Sequence, residues 1–189
     1  MLSFDIRALE AHAEPVDGEL LPTDPVWQAG DPLPQGPLRV TGRLSGAGPD
    51  RFYFRGRIDG TAQGECRRCL TDVTTPVSLD SHLVFTSSEG EDADDESDAY
   101  LFDAGERELD VREAVREEWL LNVPSFPLCR EDCAGLCPAC GADRNVAAGD
   151  AGGCRCEPAR DTRWDALRAA AGTNHHTHDA APGSGTSAE

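Results

Sequence analysis

The chain has 189 residues, about one domain with appendages, and its aromatic content of only 6% excludes a large aromatic core. Small cores of this kind often lean on a metal. The net charge of −18, with every one of the 17 basic residues an Arg, argues against tight general binding of nucleic acid by the chain as a whole.

The charge is unevenly spread. Residues 37–70 carry seven Arg against three acids, a local +4, whereas residues 87–118 carry three Arg against fourteen acids, a local −11. The N-terminus lacks the basic-then-apolar order of a signal peptide. No segment approaches the roughly 20 apolar residues of a membrane span. The expected compartment is the cytoplasm, where thiols stay reduced and eight cysteines point to metal rather than to disulfides.

In chain order, Leu2, Phe4 and Ile6 suggest a short strand before a helical turn. Six prolines between residues 15 and 37 mark residues 1–37 as an extended lead-in, with a strand edge near Val26 and Trp27. Leu38, Val40 and Leu44 then alternate with Arg39, Thr41 and Arg43, and after a Gly/Pro/Asp loop Phe52, Phe54 and Ile58 alternate with Arg51, Tyr53, Arg55 and Arg57. Period two on both sides of a turn predicts a β-hairpin with one face in the core. Its other face carries five arginines. Such a face is ordinarily just solvated; read functionally, it is a phosphate-contacting surface.

Residues 61–66 read as a third strand running into Cys66-Arg67-Arg68-Cys69, and residues 73–85 as a fourth, with Pro76 at an edge or bulge. Residues 87–99 hold seven acids and no large apolar side chain, which predicts a disordered, solvated loop. Tyr100 to Phe102 returns as a short strand. Asp110 with Glu113 has capping-box spacing, and Val111, Ala114, Val115 and Trp119 form the apolar stripe of a helix that ends at Pro124. The expected sheet-plus-helix core spans residues 38–127. A cysteine-rich segment with a short helix over 161–171 occupies residues 128–171, and residues 172–189 form a low-complexity tail. The fold class is α+β: a small, mainly antiparallel sheet of about four strands with one or two helices and a C-terminal zinc-binding segment.

Cysteine spacing carries the chemistry. Zinc takes four soft ligands in a tetrahedron. Cys137-Pro138-Ala139-Cys140 is followed by Gly141, which supplies the positive φ such a turn often needs. Cys154 and Cys156 share one side of an extended segment. Cys137, Cys140, Cys154 and Cys156 therefore form the expected zinc site, closed to water and structural. Cys66, Cys69, Cys129 and Cys133 either form a second site or divide, with Cys129 or Cys133 joining the first; the C-x₃-C spacing is the less regular one. One zinc is expected and a second is open. His12 and His82 stand alone, and no nucleophile elbow, Walker loop or H-E-x-x-H occurs. No enzyme is expected.

Three stretches together resemble a known family: Gly64-Glu65-Cys66-Arg67-Arg68-Cys69-Leu70 after a hairpin; Leu109-Asp110 opening a helix that leads to Pro127-Leu128-Cys129; and Asp132-Cys133 through Cys137, Cys140 and Asn145 to Cys154, Cys156, Asp161 and Arg163. This pattern, over residues 38–170, resembles the YceD family, the large ribosomal RNA subunit accumulation proteins. The family's Asp-Pro-Arg is Asp161-Thr162-Arg163 here, and some members lack the late cysteines. The resemblance implies a non-enzymatic ribosome-biogenesis factor for 23S ribosomal RNA. Its expected partners are a large-subunit RNA precursor or a basic ribosomal protein, met through Arg39, Arg43, Arg51, Arg55, Arg57, Arg67 and Arg68, with no membrane and no small-molecule substrate. A redox-sensitive, chaperone-like zinc protein is the alternative.

Overall fold

In the computed structural model, residues 2–88, 99–103, 105–146, 150, 153–157 and 161–172 are described. The greater part of the expected acidic loop and tail, with His175, His176 and His178, lies outside them. The chain divides into two compact units, Met1–Gly135 and Leu136–Glu189.

The first unit runs β1 (Ser3–Asp5), α1 (Ile6–Ala11), β2 (Glu14–Leu20), β3 (Leu38–Gly48), β4 (Arg51–Glu65), β5 (Asp72–Ser87), β6 (Tyr100–Phe102), β7 (Glu108–Asp110) and α2 (Arg112–Asn122). Strands β2-β3-β4-β5-β6 form one sheet, antiparallel except where β6 runs parallel to β5, and β1 pairs with β7 in a two-stranded ribbon. The α+β class stands, as a mixed sheet with three α-helices among the described residues.

Alternation works as expected in β3 and β4. Leu38, Val40, Leu44, Phe52, Phe54 and Ile58 are all within 1% of full burial, and the arginines between them lie on the opposite face. Cross-strand register pairs Leu44 with Phe54 and Val40 with Ile58, so the core rows are continuous across the hairpin. Gly42 and Gly56 face each other on the inner side. A Cβ at Gly56 would overlap the Thr41 carbonyl oxygen and the Phe54 ring, so the ring closes over the two glycines in place of side chains.

Three sequence expectations change. Residues 14–20 are not lead-in but the strand β2, with Val16, Gly18 and Leu20 inward and Pro15, Asp17 and Glu19 outward. Val26 and Trp27 lie in turns rather than a strand edge, where Trp27 Nε1 donates to the Leu21 carbonyl at 2.8 Å. Residues 61–65 are the continuation of β4, one strand of 15 residues, rather than a separate strand, and Cys66 begins the turn that follows.

Helix α2 buries Ala114, Val115 and Trp119, and Val111 just before it, which is the expected stripe. Its N-cap is Val111, not Asp110. Asp110, the expected cap, belongs to β7 and accepts from the Arg112 backbone N–H at 2.9 Å, one residue outside the observed cap. Trp119 Nε1 donates to the Pro32 carbonyl at 2.7 Å, tying α2 to the segment after β2. Beside it, Arg116 makes a two-pronged pair with Asp31, Nε–Oδ2 2.7 Å and Nη2–Oδ1 3.0 Å.

The Arg116 guanidinium, helped by the Gln28 backbone N–H, holds the Asp31 carboxyl below its ordinary value. A carboxyl lowered in the folded state contributes stability above its unfolded pKa, near 4. That stability is lost as pH falls through the folded value. Asp31→Asn is therefore expected to lower the urea midpoint at pH 7 and to flatten the loss of stability as pH falls below about 4, read by denaturation at several pH values.

In the second unit, Thr162–Trp164 forms a single 3₁₀ turn capped by Asp161, followed by α3 (Asp165–Gly172). Trp164 in the 3₁₀ turn and Leu167 in α3 are exposed.

Candidate metal centres

The β4–β5 connection is a tight turn built from Cys66-Arg67-Arg68-Cys69-Leu70-Thr71. The Leu70 N–H donates to the Cys66 carbonyl at 2.8 Å, and the Cys66 N–H donates to the Thr71 carbonyl at 2.8 Å. Cys137-Pro138-Ala139-Cys140-Gly141-Ala142 repeats this bond for bond: Gly141 N–H to the Cys137 carbonyl at 2.8 Å, Cys137 N–H to the Ala142 carbonyl at 2.8 Å. The residue after the second cysteine takes a left-handed conformation in both, φ 61° at Leu70 and 75° at Gly141.

These turns aim backbone amides at the first sulfur. Cys66 receives the N–H groups of Arg68 and Cys69, and Cys137 those of Ala139 and Cys140, the same two offsets in each. The Cys66 thiol is lowered to about 6, first by the amide of Cys129, which outweighs the opposing effect of burial. Cys137 is lowered to about 6 by the Ala139 and Cys140 amides. Cys69 is lowered by the Thr71 hydroxyl and backbone N–H.

Cys129 and Cys133 complete the first set. They lie on the loop that follows α2, brought to the turn by three bonds. The Arg67 N–H donates to the Pro127 carbonyl at 3.0 Å, and Arg68 Nη1 donates to the carbonyls of Glu131 at 3.0 Å and Cys133 at 2.9 Å. Gly135, at φ 71°, lets the loop pass close to Arg68; a Cβ there would stand 2.9 Å from the Arg68 carbonyl oxygen. Cys66 Sγ is 3.8 Å from Cys133 Sγ, and Cys69 Sγ is 3.6 Å from Cys129 Sγ. In the second unit Cys154 and Cys156 close on Cys137 and Cys140. Within each set, all four sulfurs lie within 4.8 Å of one another.

The distances discriminate between chemistries. A disulfide needs sulfurs about 2 Å apart, and none of the eight cysteines is in one. A tetrahedral ion with metal–sulfur bonds of about 2.3 Å has edges of about 3.8 Å, which the measured pairs match. Ionisation points the same way. Cys129 is pushed up to about 12 by the neighbouring Cys133 thiol, and Cys156 to about 12 by Cys140. The Cys156 amide favours the Cys154 thiolate, but the Cys137 and Cys140 thiols outweigh it and leave Cys154 raised. Each set thus holds at least one sulfur ready to ionise and at least one that resists as negative charge gathers. A divalent cation would supply the missing positive charge. Both sets fit a single four-coordinate ion, with no protein position left open for a substrate.

Sequence spacing alone leaves Cys66, Cys69, Cys129 and Cys133 free to divide; the structure brings all four together. What makes this hard to see is Arg68, whose guanidinium shapes the loop between Cys129 and Cys133. Arg67 also lies at this turn, its guanidinium 5.4 Å from the Phe126 ring centroid. The hairpin arginines sit elsewhere, on the outer sheet face. Arg39 pairs with Asp17 at 3.3 Å and Arg57 with Asp80 at 3.2 Å. Arg51 stands opposite Thr86, and Arg43 opposite Arg55.

The family described as large ribosomal RNA subunit accumulation protein YceD matches residues 54–169, from β4 through both cysteine sets. The chain belongs to the YceD family. Uncharacterized proteins of Mycobacterium tuberculosis and Mycobacterium bovis are each 30% identical over 88 residues, 46% of this chain and 42% of theirs. One from Mycobacterium leprae is 27% identical over 116 residues, 60% of this chain and 52% of its own. The chain thus aligns with about half the length of these curated relatives. No solved structure matches. The family's name refers to accumulation of the large ribosomal RNA subunit and does not favour the redox-sensitive chaperone alternative. Among the described residues, no helix is long and apolar enough to cross a membrane.

The repeated turn makes Leu70 a test of its own. A leucine held left-handed costs about 1–2 kcal/mol, a strain that glycine at the matching position 141 avoids. Leu70→Gly relieves it but gives back about 0.5–1 kcal/mol of chain entropy. The expected result is a melting temperature close to wild type with full metal retention. Leu70→Val, β-branched at positive φ, is expected to lower both, as read by thermal unfolding and metal content.

Proposed function

We propose that this YceD protein is a non-enzymatic factor in large-subunit biogenesis, supporting accumulation or processing of 23S ribosomal RNA on a precursor particle. The family match over residues 54–169 carries the reading. Two zinc ions, one in each cysteine set, serve as structural clasps. The first holds the loop after α2 to the β4–β5 turn, and the second holds the two ends of the 137–156 segment. Closed four-thiolate sites stabilise a fold rather than activate water, which agrees with a scaffold and not a hydrolase. The outward arginines of β3 and β4 are the contact surface for the particle.

The test is a deletion strain. Loss of the protein is expected to lower mature 23S RNA relative to 16S and to raise its precursor. Tagged protein is expected to sediment with large-subunit precursors in a sucrose gradient. Unchanged 23S levels together with protein only at the top of the gradient would refute the proposal.

A further inference from the structure

Among the described residues, one row on the outer sheet face has no counter-charge. Register sets Arg43 of β3 directly opposite Arg55 of β4, and Arg55 directly opposite His82 of β5. Like charges facing each other across a ladder destabilise it. Nearby arginines avoid this through the ion pairs of Arg39 with Asp17 and Arg57 with Asp80. Among the described residues no carboxylate pairs with Arg43 or Arg55. Both are exposed, and with Arg57, Asp80 and His82 they line a shallow depression of about 540 Å³.

Beside this row lie two rings. Tyr53, on β4, and His82, on β5, have centroids 6.0 Å apart and planes 29° apart, and Tyr53 Oη is 2.6 Å from His82 Nδ1. The bond holds both rings on the outer face, where neither belongs to the core. A histidine and a tyrosine side by side on adjacent strands, flanked by two unpaired guanidinium forks, unite the two elements of single-strand recognition. These are an aromatic surface for an unstacked base and donors for the phosphate beside it.

We propose that this face binds single-stranded RNA, with Arg43 and Arg55 holding a backbone phosphate and Tyr53 with His82 stacking a base. The proposal rests on the ribosomal RNA reading above and assigns it a site. A duplex keeps its bases stacked within the helix and offers only phosphates, so it forgoes the ring contact. The net charge of −18 does not forbid the site. At physiological salt the screening length is about 8 Å, so remote acids are screened while a phosphate touching two arginines is not.

The test uses the full chain and a fluorescein-labelled, unstructured 12-nucleotide A/U oligoribonucleotide, alone or annealed to its complement, followed by anisotropy at several salt concentrations. The single strand is expected to bind more tightly than the duplex. Arg43→Ala with Arg55→Ala is expected to weaken binding at least tenfold and to flatten the log–log salt slope by about 0.7, the contribution of the one phosphate charge no longer neutralised. Tyr53→Leu is expected to weaken binding about tenfold at an unchanged salt slope, while Tyr53→Phe, which keeps the ring, binds like wild type. A melting curve for each variant separates impaired binding from impaired folding, and the Arg43→Lys, Arg55→Lys pair, which keeps the charge, should retain the salt slope. Wild-type affinity in either the double-alanine or the Tyr53→Leu protein overturns the site. Running the same variants through the gradient keeps the two readings apart. Co-sedimentation that survives while the oligonucleotide fails to bind overturns this site and leaves the ribosomal role. Oligonucleotide binding as described, without co-sedimentation or an effect on 23S RNA, overturns that role and supports the site.

Discussion

Elemental analysis of the purified protein is expected to give two zinc ions per chain, and Cys66→Ser and Cys137→Ser are each expected to give one. The two sets share no ligand and lie in different units, so each loss should leave the other ion in place, and the double variant should hold none. The consequences differ. Cys66 is fully buried and joins the β4–β5 turn to the loop after α2. Its loss should open residues 128–135 to protease and lower the melting temperature of the sheet unit. Cys137 lies in the second unit, so its loss should expose the 136–157 segment and leave the melting of the sheet unchanged. Metal binding is folding free energy where the site is not preformed, so a chelator should reproduce both losses together. One zinc in the wild-type protein, or a Cys66→Ser protein that still holds two, would refute the second centre. Iron in place of zinc would keep the geometry and change the ion, since tetrahedral sulfur sites take either.

Legibility in the sequence follows the strength of the periodic signal. Leu38 to Ile58 alternates cleanly, and its core face is readable from the chain alone. Strand β2 is not, because Pro15 and Gly18 interrupt it and only Val16 and Leu20 supply apolar inward side chains. Its place in the sheet comes from pairing with β3, a tertiary fact. Strand β4 reads as two pieces because Gly56, Gly60 and Gly64 remove side chains from its inner face. Those glycines make room for Phe54, Leu38, Trp119 and Pro127. The metal centres divide in the same way. Cys137 and Cys140 with Gly141 carry a turn signal that can be read locally. The matching turn at Cys66 hides behind Leu70, which takes a glycine conformation without being glycine. The juxtaposition of Arg43, Arg55 and His82 needs the register of three strands, and no local pattern in the chain specifies it.

Trp119→Ala is expected to cost about 3–5 kcal/mol of stability, the range for truncating a large buried aromatic. Against a typical total of about 5–15 kcal/mol, that is the largest single-residue core effect anticipated for this chain. Trp119 is fully buried, and its ring packs so close to β4 that a Cβ on Gly60 would stand 2.9 Å from Cζ3. A glycine facing an indole leaves a hole that backbone cannot refill, so collapse will recover little of the cavity. Truncation also orphans the Pro32 carbonyl, which accepts the indole N–H. Trp119→Phe separates the two effects: it keeps much of the packing and removes the bond, at an expected cost of about 1–3 kcal/mol. Urea denaturation with an unchanged m-value reads both. The effect should extend to one metal centre and spare the other. Helix α2 ends at Asn122, and a short Pro-containing link runs from it to Cys129, so loosening Trp119 should speed zinc loss from the Cys66 set. Release from the Cys137 set should keep its wild-type rate. A Trp119→Ala protein less than about 1 kcal/mol weaker than wild type would mean that the helix is held to the sheet by the Arg116–Asp31 pair and the zinc clasp rather than by the indole.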